Sequence, residues 1–447
     1  MATMLKKYGA GAFKEQKSRP IGGGVMEYSE YSESSAHYHP ENSHDLALQM
    51  GDVKSDQLIW IPDGVTIQIS EHFGKSMVGG AILAAGRGVS ANPGKIKSSY
   101  NPTSYMTGLI TGRSYNKMYG LTIEGPGGLG AVGSCGPCAI RGDGQKGMDI
   151  FNVEVSQFPG AGIWFGDGNP GITRWNDDAQ RNRVRNAYIH HIQRHGFGYG
   201  IGEQGGSQSF LAEACRIEFC RHPIMAQAGS DSYEVRYCEF GEAVYNTKTD
   251  GTGKWYQSHQ VDCHGSGADG KNKAGAHLII IYNTFSVNTT YQVKPHVMVR
   301  GIPGVECIVM YNWSKKSAHS GLFSETASTN SAFTLAGGAG GVWNGGPNLA
   351  DYHMTVKDNW YGVTAPPDVE GEDPEPPQPP DETEANLDVV GLSTAYSEES
   401  KVFAVNIDLK NFGDAKGQVK VVMDNEQAKT LDLDPDAEGN VSLRLEF

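Results

Sequence analysis

The residues best suited to chemistry lie in Ser258-His259-Gln260-Val261-Asp262-Cys263-His264-Gly265, where two histidines and an aspartate fall within six residues. Imidazole and carboxylate at the spacing His259-x-x-Asp262-x-His264 suit zinc or manganese. In a strand Asp262 and His264 share a face, and His259 joins them only through a bend. The same groups also suit catalytic acid and base, or a polar ladder that satisfies backbone groups and touches a glycan. Lyase chemistry needs a cation at a uronate carboxylate and a base for the α-proton. Arg221, His222, Arg236 and Arg300 are the cationic candidates, with His259 or His264 as base. The catalytic set is therefore His259, Asp262, His264 and Arg300, and the glycan-binding set is Arg221, His222, Tyr233, Arg236 and Trp255. No residue is assigned as a resident metal ligand, and a divalent cation is the one cofactor this chemistry would accept. Arg236 has a second reading, as the partner of Glu218 or Glu239 on a neighbouring coil. Trp164, Phe165, Trp175, Trp255 and Tyr256 sit in or beside Gly-rich stretches, where aromatic faces stack on sugars or anchor loops.

These side chains need a scaffold, and the chain offers short β segments. Leu58 to Ile69 reads as strand, Pro-Asp-Gly turn, strand. Ile150–Val155, Val184–Ile189, Arg216–Phe219, Arg236–Phe240, Ile280–Phe285, Ile308–Trp313 and Val356–Trp360 follow, the later ones closing on a polar residue plus an aromatic. Glu218 to Glu239 is 21 residues, Glu239 to Thr284 is 45, Asn283 to Asn312 is 29 and Asn312 to Asn359 is 47. Such offsets fit one or two turns of a coil of roughly 20–30 residues with variable loops. No amphipathic helix lies between the segments, which disfavours βαβ folds. A sandwich of this size needs longer strands and regular turns every 8–12 residues or so. Stacked coils with aliphatic interiors are the expected architecture. On that stacking Arg221-His222, Tyr233–Arg236 and His259–His264 fall on successive coils and could form one polar patch. The turn Gly196–Gly200, preceded by His190-His191 and Arg194-His195, has no helix pattern after it to support phosphate binding.

Residues 58–363 resemble the right-handed parallel β-helix (pectate-lyase-like) proteins, in particular repeat proteins of archaeal and viral surface type. The resemblance rests on Ile61-Pro62-Asp63-Gly64-Val65-Thr66-Ile67, Gly120-Leu121-Thr122-Ile123, His190-His191, Gly196–Gly200, Arg221-His222, Tyr233–Tyr237, His259–Gly265, Asn283-Thr284-Phe285, Arg300–Pro303 and Tyr311-Asn312-Trp313. It implies an all-β fold and one of two functions. One is a surface or virion spike of tail type that recognises cell-surface glycans, assembles as a homo-oligomer such as a trimer, and attaches to other surface proteins. The other is a polysaccharide lyase or glycoside hydrolase with its site around His259–His264. Cys263-His264-Gly265 and Asn176-Asp177-Asp178 superficially resemble polygalacturonase motifs. The order is wrong and the basic Arg-x-Lys element is missing, so those roles are not transferred.

Composition narrows the field. Of 447 residues 59 are glycine, spread without period, which suits many tight turns. From Thr364 to Phe447 there are 20 acidic and 6 basic residues, against 31 of each before it, so the whole −14 net charge sits in the tail. A neutral body with an acidic tail lacks the basic footprint of a nucleic-acid binder. No run of about 18 apolar residues suggests a membrane span. Met1–Ala12 shows no apolar core behind Lys6 and Lys7, so no signal peptide is read there, and an extracellular, virion or cell-surface location is expected either after removal of a signal that preceded this numbering or by another route. Seven cysteines are too scattered for a disulfide scaffold. Cys135-Gly-Pro-Cys138 suits a redox pair, a local disulfide or plain thiols. The expected organisation is an attachment arm (1–50), a β-helix (51–363), a Pro/Asp/Glu-rich linker (364–386) and a small Ig-like β-sandwich (387–447).

Overall fold

The computed structural model describes residues 4–13, 20–24, 31–71, 76–102, 106–127, 136–166, 168, 170–194, 196–205, 208–226, 231–246, 255–263, 274–286, 296–299, 303–315, 353–370, 387–397, 402–411, 417–422, 428–433 and 438–446. For residues 4–5, 245–246, 255–257, 369–370 and those beyond 386 only the backbone is described. By internal packing the chain divides into Met1–Asp373 and Pro374–Phe447.

The larger unit is a parallel β-helix with three parallel sheets along its length. Among the described residues the first sheet stacks Leu58–Trp60, Ile82–Ala84, Lys117–Tyr119, Asp149–Phe151, Asn182–Arg185, Ser209–Glu213, Ser232–Arg236, His277–Ile281, Glu306–Met310 and Met354–Lys357. The second stacks Thr66–Ile69, Lys95–Ser98, Thr122–Glu124, Glu154–Ser156, Tyr188–Ile192, Arg216–Cys220, Glu239–Phe240, Thr284–Phe285, Trp313–Ser314 and Trp360–Tyr361. The third holds Gly108–Thr111, Cys138–Arg141, Ala161–Phe165, Tyr199–Glu203, His222–Ala226, Val261–Cys263 and Val297–Val299. Alternation sends every second side chain inward. In the first sheet Ile150, Val184, Ala212, Val235, Ile280 and Val309 stack on one another through register and join a single core.

Arg216–Phe219 lies within one strand, but the other segments from Ile150 onward that read as single strands in the sequence are pairs of strands hinged at a left-handed residue. Ile150–Val155, for example, is two strands bent at Asn152, and the same bend recurs at Gly120, Asn186, Ala214, Tyr237, Tyr282, Tyr311 and Asp358, with φ between 49° and 59°. Bulky residues in this region are strained by about 1–3 kcal/mol each. Stacking offsets part of that: Tyr237 lies 5.3 Å from Tyr282, and Tyr282 lies 5.0 Å from Tyr311. The residue after the bend points inward, and in the last coils it is asparagine. Asn283 Oδ1 accepts from the Cys238 N–H (2.9 Å), Asn312 Oδ1 accepts from the Asn283 N–H (2.9 Å), and Asn359 Oδ1 accepts from the Asn312 N–H (3.0 Å). Each asparagine is therefore one coil above the last. The 45- and 47-residue offsets are single coils carrying long insertions, where the sequence left one or two turns open. Asn312, which heads an Asn-x-Ser triplet, is buried in this ladder and is no glycan acceptor in the folded chain.

The third sheet is where the sequence reading misses most. Gly196–Gly200, read as a Gly-rich turn, runs at Tyr199 into the strand Tyr199–Glu203, and Gly200 is required because a Cβ there would lie 2.5 Å from the Pro223 carbonyl oxygen. Trp164 and Phe165, expected in a loop, belong to the strand Ala161–Phe165 and are buried.

The polar first fifty residues are also structured where described. Helix Ser43–Asp52 is capped by Asn42, whose side chain accepts from the Asp45 N–H at 3.0 Å. Its Leu46 and Met50, one turn apart, enter the main core with Ile59 and Ile67 and close the first coil. Upstream, the chain runs as a strap down the bend column. Met4–Lys6 pairs antiparallel with Asp368–Glu370, Gly9 donates to the Tyr311 carbonyl, Phe13 packs on Tyr237, Gly24 donates to Asn152 Oδ1, and Tyr31 packs on Tyr119. The expected extended arm is thus laid along the coils in its described parts.

In the smaller unit Leu387–Ser397, Val402–Asn411 and Glu438–Glu446 form an antiparallel sheet with a bulge between Val389 and Gly391, and Gly417–Val422 pairs with Ala428–Leu433. No helix among the described residues is long and apolar enough to cross a membrane.

Candidate functional site

The parallel register of His222–Ala226 and Val261–Cys263 puts Ile224 beside Val261, and therefore His222 beside His259. The two imidazoles stack 5.9 Å apart at 4°, and Tyr199 stacks on the other face of His222 at 6.0 Å. His222 Nδ1 lies 3.1 Å from Ser258 Oγ and 3.2 Å from the His259 carbonyl oxygen, and its Nε2 lies 3.0 Å from Asp262 Oδ2. That last approach is close enough for an ion pair but off the line of a good hydrogen bond. The trio Ser258, His222 and Asp262 has the outline of a nucleophile–base–carboxylate array. The chemistry argues otherwise. A carbonyl only accepts, so the Nδ1 facing it carries a proton and cannot take one from Ser258. With Nε2 facing a carboxylate, the ring is best satisfied as an imidazolium paired with Asp262. His222 and Asp262 are fully buried, and Ser258 and His259 nearly so. The arrangement ties two coils together.

The other predicted site residues scatter. His264 and Arg300 lie outside the described residues, as does Cys135; Cys138 is buried, its thiol donating to the Met106 carbonyl at 3.3 Å. Tyr233 points into the coil, fully buried, with its hydroxyl 2.5 Å from Cys263 Sγ, so it is removed from any outer surface. Arg236 lies on the outer face of the first sheet and pairs with Glu213 and Glu234, both at 2.6 Å, and not with Glu218 or Glu239. Trp255 lies in the strand Trp255–Gln257, which pairs antiparallel with Val244–Asn246. Arg221 is half-buried over the Tyr199 ring and donates to the Gly196 carbonyl. The expected single patch therefore does not form. The register joins His222, His259 and Asp262, and leaves Tyr233 and Arg236 on another sheet. Asp177 and Asp178 serve their own loop, with Asp177 accepting from the Ala179 N–H and Asp178 pairing with Arg181. Trp175 lies flat on His277, 4.6 Å away. Among the described residues no group of three His, Cys, Asp or Glu side chains is placed to hold a metal ion.

A more accessible constellation lies on the outer face of the second sheet and the corner that leads to the third. Register stacks Glu154, Tyr188, Arg216 and Glu239 in one column, and Ser156, His190 and Glu218 in the next. At the corner Gln157, His191 and Phe219 all adopt left-handed φ, at 63°, 59° and 51°. Non-glycine residues held this way gather at functional sites. His191 is exposed and stacks on Phe219 at 4.9 Å, while His190 stacks on Tyr188 at 4.2 Å. The Tyr188 hydroxyl donates to Glu218 at 2.6 Å, and Arg216 lies over the Tyr188 ring and pairs with Glu218. Arg87 and His190 both reach Glu154, and together they hold its carboxyl below the usual range despite burial. Burial and the Glu218 carboxylate push the Tyr188 hydroxyl well up, so it stays a donor. Burial and the adjacent His190 hold His191 below the usual imidazole range. In the sequence His190-His191 stand just before the Gly-rich turn, which masks their place on a strand. The signal that finds them is the alternation of Ala187-Tyr188-Ile189-His190 against Cys215-Arg216-Ile217-Glu218, in which Tyr188, His190, Arg216 and Glu218 all face outward.

No family model matches this chain, and no curated protein matches it.

Proposed function

We propose that the protein recognises glycans through the outer face of its second sheet, as a cell-surface or virion-borne β-helix protein of spike type. The observation that carries this reading is the exposed His191 stacked on the half-buried Phe219 at a strained corner, flanked by Tyr188 and Arg216 and bordered by Arg221. Sugar rings offer C–H faces to aromatic planes and hydroxyls to charged neighbours, and this face supplies both within one coil spacing. The parallel β-helix fold is compatible with glycan binding and with action on polysaccharides. The burial of His222 and Asp262, and the proton on His222 Nδ1, favour recognition over catalysis at the His259–Asp262 stretch. Assembly into a homo-oligomer and attachment to a larger surface belong to the same proposal.

The test is incubation of the purified chain with acidic and neutral surface polysaccharides, following bound fraction, product size, new reducing ends and unsaturated-uronate absorbance together. Binding without shortening is expected. Shortened chains would replace recognition with catalysis, and no binding to any polysaccharide would remove the proposal.

A further inference from the structure

We propose that His190 and His191 form a proton switch that takes the recognition face apart when the surroundings turn acidic. This rests on the glycan reading above and concerns its regulation. The two Nδ1 atoms lie 2.7 Å apart, a distance that requires one proton between them. Hydrogen-bond logic fixes where the others go. Glu154 Oε1 lies 3.4 Å from His190 Nε2, and a carboxylate only accepts, so His190 Nε2 carries a proton. Neutral His190 then accepts at Nδ1 from the Nδ1–H of His191, which leaves His191 Nε2 as a lone-pair acceptor at the surface, beside its stack on Phe219.

Acid changes this in two steps. The first added proton goes to His191 Nε2 and turns the surface acceptor into a donor while the pair stays joined. A second proton entering the Nδ1–Nδ1 contact sets two N–H groups facing each other at 2.7 Å, which the rings relieve only by separating. His191, exposed and at left-handed φ, is the ring that moves, and the Phe219 platform loses its partner. The charged and titratable groups facing the pair come from both neighbouring coils. Glu154, held by Arg87, lies behind His190, while Glu218, held by Arg216 and the Tyr188 hydroxyl, lies beside His191. Burial and the neighbouring imidazole hold His191 below the ordinary range, with Glu218 opposing them. Coupled sites of this kind titrate in two macroscopic steps that belong to the pair.

Two measurements on the full chain test it. Long-range proton–nitrogen spectra of the imidazoles across pH 4.5 to 8 (roughly centred on the free value of about 6.5) should show two steps more than about one unit apart, collapsing to one in His190→Gln. Independent titration of both rings at the free value, with His191 unmoved by His190→Gln, would overturn the switch. In parallel, a polysaccharide that binds at neutral pH should bind about tenfold more weakly once both steps are complete, the loss of one aromatic stack. That acid loss should vanish in His190→Gln, where a glutamine carbonyl still accepts from His191. Equal binding by the wild type on both sides of the titration would sink the switch while leaving recognition intact. If no polysaccharide binds even at neutral pH, recognition fails, and the spectra alone decide the pair.

Discussion

Replacing Glu203 by glutamine should make the β-helix more stable at neutral pH than at pH 5, relative to the wild type. Glu203 closes the strand Tyr199–Glu203 and lies between Phe165 and Ala226 in the register, facing the interior. It is fully buried, and among the described residues neither carboxylate oxygen has a hydrogen-bond partner. Burial, reinforced by Asp231, pushes its carboxyl well above the usual range. The folded chain therefore keeps a proton that the unfolded chain gives up near pH 4.3, roughly the free glutamate value. Stability contributed by that proton is fully present below the unfolded value and falls as pH rises toward the folded one. Each pH unit over which the folded carboxyl keeps its proton while the unfolded one is ionised costs roughly 1.4 kcal/mol. The advantage of Glu203→Gln over wild type should thus grow between pH 5 and pH 7, by no more than about 3 kcal/mol. A buried amide without partners adds its own cost, but that cost does not depend on pH. Urea unfolding of both proteins at pH 5, 6 and 7 reads the difference directly. An advantage that stays constant over this range would refute the argument, because it would mean that Glu203 is ionised in the folded chain.

Other interior and strap positions give separate tests. Asn312→Ala leaves the Asn283 N–H and the Ile280 carbonyl unsatisfied in the core and should destabilise by about 2–4 kcal/mol in urea unfolding, whereas a loss under about 1 kcal/mol would contradict the ladder. Gly23→Ala places a Cβ 2.2 Å from Asn152 Oδ1 at φ 64°; it should lift the strap and speed hydrogen exchange at Gly24, and unchanged exchange there would count against the strap. Asp262→Ala removes the carboxylate that His222 Nε2 faces, and the buried ring sheds that proton, so the cost should be about 1–3 kcal/mol, while the folded fraction still binds polysaccharide. Selective loss of binding with stability intact would return the functional site to the His259–Asp262 stretch.

Much of the fold was legible because its repeating unit writes itself into the chain. The inward asparagine at Asn283, Asn312 and Asn359, with an aromatic one or two residues later, marks the same corner of successive coils, and the aliphatic alternation before it marks the first sheet. The third sheet was hidden because its strands are rich in glycine, chosen at Gly162 and Gly200 for close approach to the next coil, so they read as turns. The capping helix was hidden by polarity. Its signature was only the Asn42/Asp45 cap and the Leu46/Met50 pair. The candidate site was half legible. Stacking His222 on His259 followed from the coil idea, but burial is a property of what lies above a strand, and the local sequence does not carry it. Tyr233 looked like a sugar platform because it sits among charges. Its register with Phe210 and Leu278 puts it inside.

The most direct test of the central claim is the affinity of Phe219→Ala for a bound polysaccharide at neutral pH, set against its urea-unfolding midpoint. Phe219 is half-buried at a left-handed corner, so truncation should move the midpoint little and weaken binding about tenfold. Wild-type affinity in a folded Phe219→Ala chain would contradict glycan recognition at this face.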